Sequence, residues 1–516
     1  MKRITKIYDS CKFAIRITFF AFFLIAFGFL IQNEAVNIFY TFKNSFVLFL
    51  AEGSLRLGTS IIANLPMIFM LNIVCKRANS AYPVVLALVG YFSYMIVTML
   101  LGSSTLASTA YATSTGINTI LNINTGTRYP FETGLIGSFI VAYITRISFV
   151  RSRHRNSFSL LGFLNKDTAG IIYNIVFCGL AGLAIAYVWP FVFNYLQTAI
   201  TFIAKDINDP LHIALYGVLD RTLSILGLNR IIRQPFWYTA LGGSLQTITG
   251  QTIAGDINIW NYVKDSSTVY VGAGRFITAF YVINLFIVPA VYLGTVLSMS
   301  DKNEKKKYII PMIGGILLSI ICGNSLPIEL VLLFTSPLLL ILYLLIVGGT
   351  FYYLAYAKIF LGSSVTAGSI ITAMPGSFPD FIINLRNVNY SSQLVQIIIV
   401  GVVAFVLMFI FTYLYNHFLS YDISRSGKAR ELAKTIIEAV GGIDNITDAG
   451  SGLFKVCVHL NDLERVDVNK IQEMNINKIA ETKDGIDIEC GASAYIIANR
   501  IQYFMMIEEN NKNKAE

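Results

Sequence analysis

Residues 394–418, LVQIIIVGVVAFVLMFIFTYLYNHF, contain no Asp, Glu, Lys or Arg, and near Tyr421 the composition changes abruptly to a charged, mixed sequence. About 20 apolar residues in a helix cross the roughly 30 Å hydrocarbon layer of a bilayer. This stretch therefore reads as a membrane span, and the residues after it as a domain outside the lipid.

Working back towards the N-terminus, further candidate spans fall at 17–32, 45–74 (broken near Gly53–Gly58), 82–101, 133–150, 169–198, 275–298, 308–323, 327–348 and 350–361, about ten crossings in all, some of them short or re-entrant. The 516 residues are 55% hydrophobic and 13% charged, against about 25% charged in soluble domains, and the mean hydropathy is +0.62. The first span follows Lys2, Arg3, Lys6, Lys12 and Arg16, and no small-residue cleavage site follows Leu30. It reads as a retained span rather than a signal peptide. Basic residues collect on the cytoplasmic side of membrane proteins. By that rule the N-terminus, Cys75–Arg77, Arg151–Arg155, Lys302–Lys307 and Arg425–Arg430 lie inside, and the C-terminal domain with them. The net charge of +9 needs no nucleic-acid partner. None of the six cysteines forms a CxxC pair, so neither a disulfide nor a zinc site is expected. The 13% aromatic content fits packing and interfacial anchoring and implies no cofactor.

Forward of Tyr421, residues 428–440 repeat apolar side chains at helical spacing and stop at Gly441-Gly442. Residues 453–460 alternate, with Phe454, Val456, Val458 and Leu460 on one face and Lys455, Cys457 and His459 on the other. A helix around 467–474, strands near 477–481 and 485–489, and a helix from 491 to about 506 complete a small α/β module. The expected fold is an α-helical polytopic membrane domain over 1–420, a linker over 421–430, and a cytoplasmic α/β domain over 431–516. Two polar stretches, 102–130 and 200–272, interrupt the apolar part. Irregular backbone survives at membrane depth only where protein buries it or water reaches it, so the second stretch is the expected place of a substrate cavity.

Four segments carry a family resemblance. They are IIANLPMIF (61–69), YGVLDRTLSILGLNR (216–230), GNSLPIELVLLF (323–334) and NITDAGSGLFKVCV (445–458). In order and spacing the chain resembles the glucose–maltose–N-acetylglucosamine branch of bacterial sugar phosphotransferase-system permeases, with a IIC membrane domain followed by a IIB domain. The resemblance implies a multi-pass inner-membrane protein that is a homodimer in contact with membrane lipid. It also implies a sugar or other small polar solute as ligand, and a IIA protein or a separate IIB as partner.

The departures from that pattern concern chemistry. In the family a phosphoryl-carrying cysteine stands five residues after the threonine of "NIT"; counted from Thr447, that place holds Gly452. The family's paired histidines are Asn229 and Arg230, a downstream glutamate is Gly242, and the first glutamate of "TEPIE" is Leu326. Leucine accepts no hydrogen bond, and an unpaired hydroxyl there would cost about 1–3 kcal/mol. Arg221, Asn229, Asn324, Ser325 and Glu329 remain as candidate substrate-binding residues. Arg221 could instead pair with Asp220 or Glu329, Asn229 could cap a loop, and Glu329 could be a structural carboxylate. Cys457 sits between Lys455 and His459, which would favour a thiolate, but it stands five residues beyond the family position. Cys490 opens the last helix, and His459 reads as an exposed strand residue. The expected function is sugar permeation without self-contained phosphotransfer. A ligand sensor on the same scaffold and a non-phosphorylating facilitator are the alternatives.

Overall fold

Where apolar runs are long, backbone groups in lipid must pair within their own segment, and helices result. The computed structural model describes residues 2–32, 40–75, 81–102, 106–112, 129–153, 166–247, 250–264, 270–299, 302–363, 375–385, 388–418, 425–451, 455–468, 470, 479–482, 484–490 and 494–515. Lys76, Arg77, His154, Arg155, Asp265, Gly452, Phe454, residues 471–474 and most of 102–130 lie outside them. The backbone divides into two units, Met1–Ala290 with Gly314–Met408, and Val291–Ile313 with Phe409–Glu516.

The helices run, in chain order, α1 Lys2–Gln32, α2 Ser45–Ala63, α3 Leu65–Cys75, α4 Tyr82–Leu101, α5 Gly134–Arg153 and α6 Lys166–Lys205. There follow α7 Pro210–Ile225, α8 Arg230–Tyr238, α9 Asp256–Val263 and α10 Thr278–Leu297, which contains a π-turn over Ile283–Ile287. Helices α11 Lys302–Cys322, α12 Leu326–Thr335, α13 Pro337–Tyr356, α14 Phe378–Leu385 and α15 Ser391–Phe418 complete the apolar part. Among the described residues, eight helices are long and apolar enough to cross a membrane: α1, α2, α4, α5, α6, α10, α13 and α15.

Eight of the ten or so expected spans contain such a helix, and the others are short or merged for local reasons. The break in 45–74 falls at Asn64 rather than at Gly53–Gly58; the Asn64 amide donates to the Ser60 carbonyl at 2.8 Å, while Gly58 stays helical and buried. The apolar part of α11, Tyr308–Cys322, is short. Region 327–348 is two helices, because Pro337 lacks an amide proton and opens α13 after Ser336. Region 350–361 is no separate span: α13 continues through Tyr356, and the chain turns at Lys358, φ 54°.

Small and polar residues set the helix contacts. A Cβ at Gly28 would meet the Ala51 carbonyl, and one at Gly58 the Ala21 carbonyl, so α1 and α2 approach at backbone distance. Helices α4 and α6 are tied by Asn174 donating to Leu86 O at 2.6 Å and Ser93 to Ile175 O at 2.8 Å. The outward faces of the spans are apolar; α15 exposes Val395, Ile399, Val403 and Leu407.

In the second unit a four-stranded sheet is built from β3 Ile446–Ser451, β4 Lys455–Leu460, β5 Ile479–Thr482 and β6 Gly485–Glu489; strands β1 Ser244–Gln246 and β2 Thr252–Ala254 form a separate hairpin in the first unit. The sheet order is β3-β4-β6-β5, and every pairing is antiparallel. Alternation is realised as expected: Val456, Val458 and Leu460 are buried, Lys455 and His459 exposed. Helices α16 Arg425–Ala439 and α17 Ala494–Ala515 share a core with the strands, in which Ile436, Ile497 and Ile501 pack with Val456, Ile486 and Ile488. The first helix ends where Gly441 and Gly442 adopt φ of 88° and 99°, open to glycine at little cost. Buried Asn445 then clamps the junction, donating to Val440 O at 2.7 Å and Asp462 O at 2.8 Å and accepting from the Asp462 amide at 2.9 Å. The asparagine of "NIT" is thus a scaffold residue of this module.

Ile488, fully buried, tests that core. Ile488→Ala is expected to cost about 2–5 kcal/mol and to speed amide exchange across β4 and β6 in the full-length protein, with the exchange of α4 unchanged.

Candidate functional site

Two glycine turns dock to form the candidate binding cavity. The stretch 216–225 is helical, and its i, i+4 spacing puts Tyr216, Asp220 and Ser224 along one buried stripe of α7. After Ile225 the chain turns at Gly227, φ 76°, with the Leu228 amide donating to Leu223 O at 2.7 Å. Gly134 opens α5 at φ 51°, and the next amide, Leu135, donates to Leu226 O at 2.9 Å. A Cβ at Gly134 would collide with that same carbonyl, so conformation and clearance both demand glycine. An isolated bridge between Tyr111 and Phe131 steadies the approach to Gly134; the Glu132 amide donates to Ala110 O at 2.9 Å.

Between these turns lies a cavity of about 80 Å³. One wall is Ile62–Met67, the break between α2 and α3; another is Ser224, Ile225, Gly227 and Asn229; Phe131–Leu135 form a third, and Leu326 at the start of α12 closes a fourth. Three of the four segments that carry the resemblance therefore meet in one place. The polar groups there include Asn64, Tyr91, Glu132, Thr133, Ser224 and Asn229. Asn229 precedes α8, but its side chain makes no capping bond. From the expected region 200–272 the cavity takes only Ser224, Ile225, Gly227 and Asn229.

Arg221, Ser325 and Glu329 come together beside the cavity rather than among its lining residues. Asp220 accepts from Arg221 Nε and Nη2 at 3.0 and 2.5 Å, and from Arg233 Nε and Nη2 at 2.7 and 3.2 Å. Arg221 Nη1 donates to Ser325 Oγ at 2.6 Å and lies 3.5 Å from Glu329 Oε1. Ser325 and Tyr343 both donate to that oxygen at 2.7 Å. Two carboxylates balance two guanidinium groups, which also rest over the Phe280 ring at 4.7 and 5.3 Å. Every member is at most 4% exposed, so the charges are compensated internally. Glu329 is in the first turn of α12, where the helix dipole favours a negative charge. Its other oxygen, Oε2, is buried with no protein partner.

Asn324 accepts from the Leu326 amide at 2.8 Å, a helix-start bond. Gly242 cannot carry a side chain on this backbone, because a Cβ would overlap the Phe236 carbonyl. Arg230 donates to Tyr111 O and Gln234 Oε1, both at 3.0 Å. Glu132 is a lining residue that composition does not single out, because it stands just past the polar stretch 102–130. The available signal is an acidic residue at the mouth of an apolar span, which is costly unless used.

In the α/β module Cys457 lies mid-way along β4, opposite Gly450 on β3 and Asp487 on β6. It is half-buried, on the face shared with Lys455 and His459. Burial pushes the Cys490 thiol up to about 11, so it is protonated at neutral pH.

Two outcomes follow from this geometry. Asp220→Ala leaves Arg221 and Arg233 buried without their shared carboxylate and is expected to cost about 3–5 kcal/mol, read as a lower unfolding temperature of the detergent-solubilised protein. The Cys490 thiolate population grows as pH rises towards about 11; N-ethylmaleimide labelling of Cys490 should be slow at pH 7 and climb steeply above pH 9, relative to exposed Cys75, as mass spectrometry of the peptides will show.

A family model described as phosphotransferase system, EIIC, matches residues 10–348. That range, more than half of the chain, contains the cavity lining and all members of the buried charge cluster. The chain belongs to the EIIC family, the multi-pass membrane components of phosphotransferase-system sugar permeases.

Proposed function

We propose that this permease is a IIC–IIB fusion of the glucose–maltose–N-acetylglucosamine branch that translocates a sugar without completing phosphotransfer on its own IIB-like domain. The carrying observation is Gly452 at the position of the phosphoryl-accepting cysteine. In such a transfer the thiolate takes a phosphoryl group from a phosphorylated IIA protein, and a sugar hydroxyl then takes it from sulfur. Glycine offers no nucleophile. Cys490 is held as a thiol by burial, and Cys457 stands in a central strand five residues further on.

The membrane side supports permeation separately from chemistry. Broken helices with polar linings at one cavity are what a solute path through lipid requires. A small-solute site combines apolar walls with a few placed polar groups; here Pro66, Met67, Phe131 and Leu326 supply the walls and Asn64, Ser224 and Asn229 some of the polar groups. The proposed unit is a homodimer, with residues 1–420 as permease, 421–430 as linker and 431–516 as the IIB-like domain. The basic flanks support a cytoplasmic N-terminus and C-terminal domain. Phosphate, where it is used, comes from a separate IIB or from a IIA protein. The internally closed cluster of Asp220, Arg221, Arg233 and Glu329 also fits a facilitator or a ligand sensor, neither of which needs a phosphate path.

Full-length protein in proteoliposomes, incubated with radiolabelled phospho-IIA protein, should take up no stable label. Labelling of the wild type that disappears in Cys457→Ser overturns the proposal. Counterflow of labelled glucose, maltose or N-acetylglucosamine should proceed in the same vesicles; its absence for all three would leave the sensor reading.

A further inference from the structure

Of the described residues lining the cavity, Glu132 is the one carboxylate. It stands in the extended link between the Tyr111–Phe131 bridge and the start of α5. Its backbone is held at Ala110, and the Gly134 amide, two residues on, donates to the carboxylate. The Arg230 guanidinium acts on it electrostatically while bonded to Tyr111 O and Gln234. The carboxylate is therefore held in place, and it borders the cavity rather than sinking into the buried cluster of α7 and α12.

Burial pushes the Glu132 carboxyl up to about 7 against the opposing pull of Arg230 and the Gly134 amide, so it is ionised above neutral pH; in that form it accepts hydrogen bonds and donates none, with about four lone-pair positions. One backbone amide leaves acceptor capacity over. The neighbouring lining offers Thr133, Ser224 and Asn229 as further hydrogen-bonding groups, and Pro66, Met67 and Leu326 as apolar surface. Above neutral pH the Glu132 carboxylate faces the field of the nearby Arg230 guanidinium, so the two charges offset one another. A neutral ligand rich in hydroxyl donors and with apolar C–H faces matches this wall; an anion or a cation does not.

We infer that Glu132 is a substrate-binding residue whose carboxylate accepts a hydroxyl of a neutral, polyhydroxylated solute in the cavity lined by Ile62–Met67, Phe131–Leu135, Ser224, Asn229 and Leu326. The inference rests on the reading of the chain as a sugar permease and adds to it the residue, the ligand group and the ligand's charge class.

The test is a cycle between protein and ligand. Binding of glucose, maltose and N-acetylglucosamine to the purified full-length protein is measured by titration calorimetry above pH 8, where the Glu132 carboxyl is ionised, then repeated with Glu132→Gln and with the monodeoxy analogues of whichever sugar binds. A hydrogen bond to a charged group is strong enough for the glutamine variant to lose about tenfold or more in affinity. One deoxy analogue, lacking the hydroxyl that Glu132 accepts, should bind wild type and variant alike. A variant that weakens every analogue by the same factor, or none, overturns the inference and leaves the sugar reading standing. Failure of the wild type to bind any of the three sugars overturns the sugar reading, and this assignment with it. Should Glu132→Gln not elute as monodisperse protein, Glu132→Asp, which keeps the charge but shortens the reach, replaces it in the same cycle. Equal binding of one deoxy analogue to wild type and variant then supports the inference, and uniform weakening or no change overturns it.

Discussion

Backbone amides and carbonyls freed at a helix break must find new partners when water is scarce, and the binding region is organised by how this chain meets that demand. At Asn64 the side chain bonds back one turn to Ser60. At Asn324 the side chain takes the Leu326 amide. At Leu226 the carbonyl is taken by Leu135, from a different part of the chain, and this one bond locks two glycine turns together. The cavity is the space that these repaired breaks leave between them. Its lining comes from separate regions of sequence because each break contributes only a few residues.

The same turns position charge. Helix α7 carries Asp220 and Arg221 on its buried side, α8 brings Arg233, the start of α12 brings Ser325 and Glu329, and α13 brings Tyr343. Four helices thus share one neutral cluster in the interior. Such a cluster adds little net stability over an apolar core, but removal of one member leaves an uncompensated buried charge. Beside it, among the described residues, the cavity lining holds milder polar groups and one carboxylate. Arg221 and Glu329 thus pair within the cluster and stand outside the lining.

Much of the fold is legible in the residues. The apolar runs name most spans, because hydrophobic length is a local property. Over the described residues 455–460 the alternation assigns its faces correctly, and Gly441-Gly442 marks the end of α16. Ser336-Pro337 and Asn64 are harder to read, since both sit within apolar sequence whose average hydropathy conceals a single breaking residue. Among candidate binding residues, the grouping of Arg221, Ser325 and Glu329 is partly visible in their charge and spacing. Their mutual closure is not, because it depends on distances across more than a hundred residues of chain.

By itself, then, the sequence determined the membrane class, the position of the polar module and the absence of a nucleophile at residue 452, since each follows from side-chain chemistry and local periodicity. Only the tertiary structure decided which polar residues face the cavity and which neutralise one another. Glu132 and Glu329 are both acids at the edges of apolar helices, and nothing local separates them. Their neighbours do: Glu329 meets Arg221, Ser325 and Tyr343 in the buried cluster, while Glu132 is held at the cavity wall by a turn that docks on Leu226.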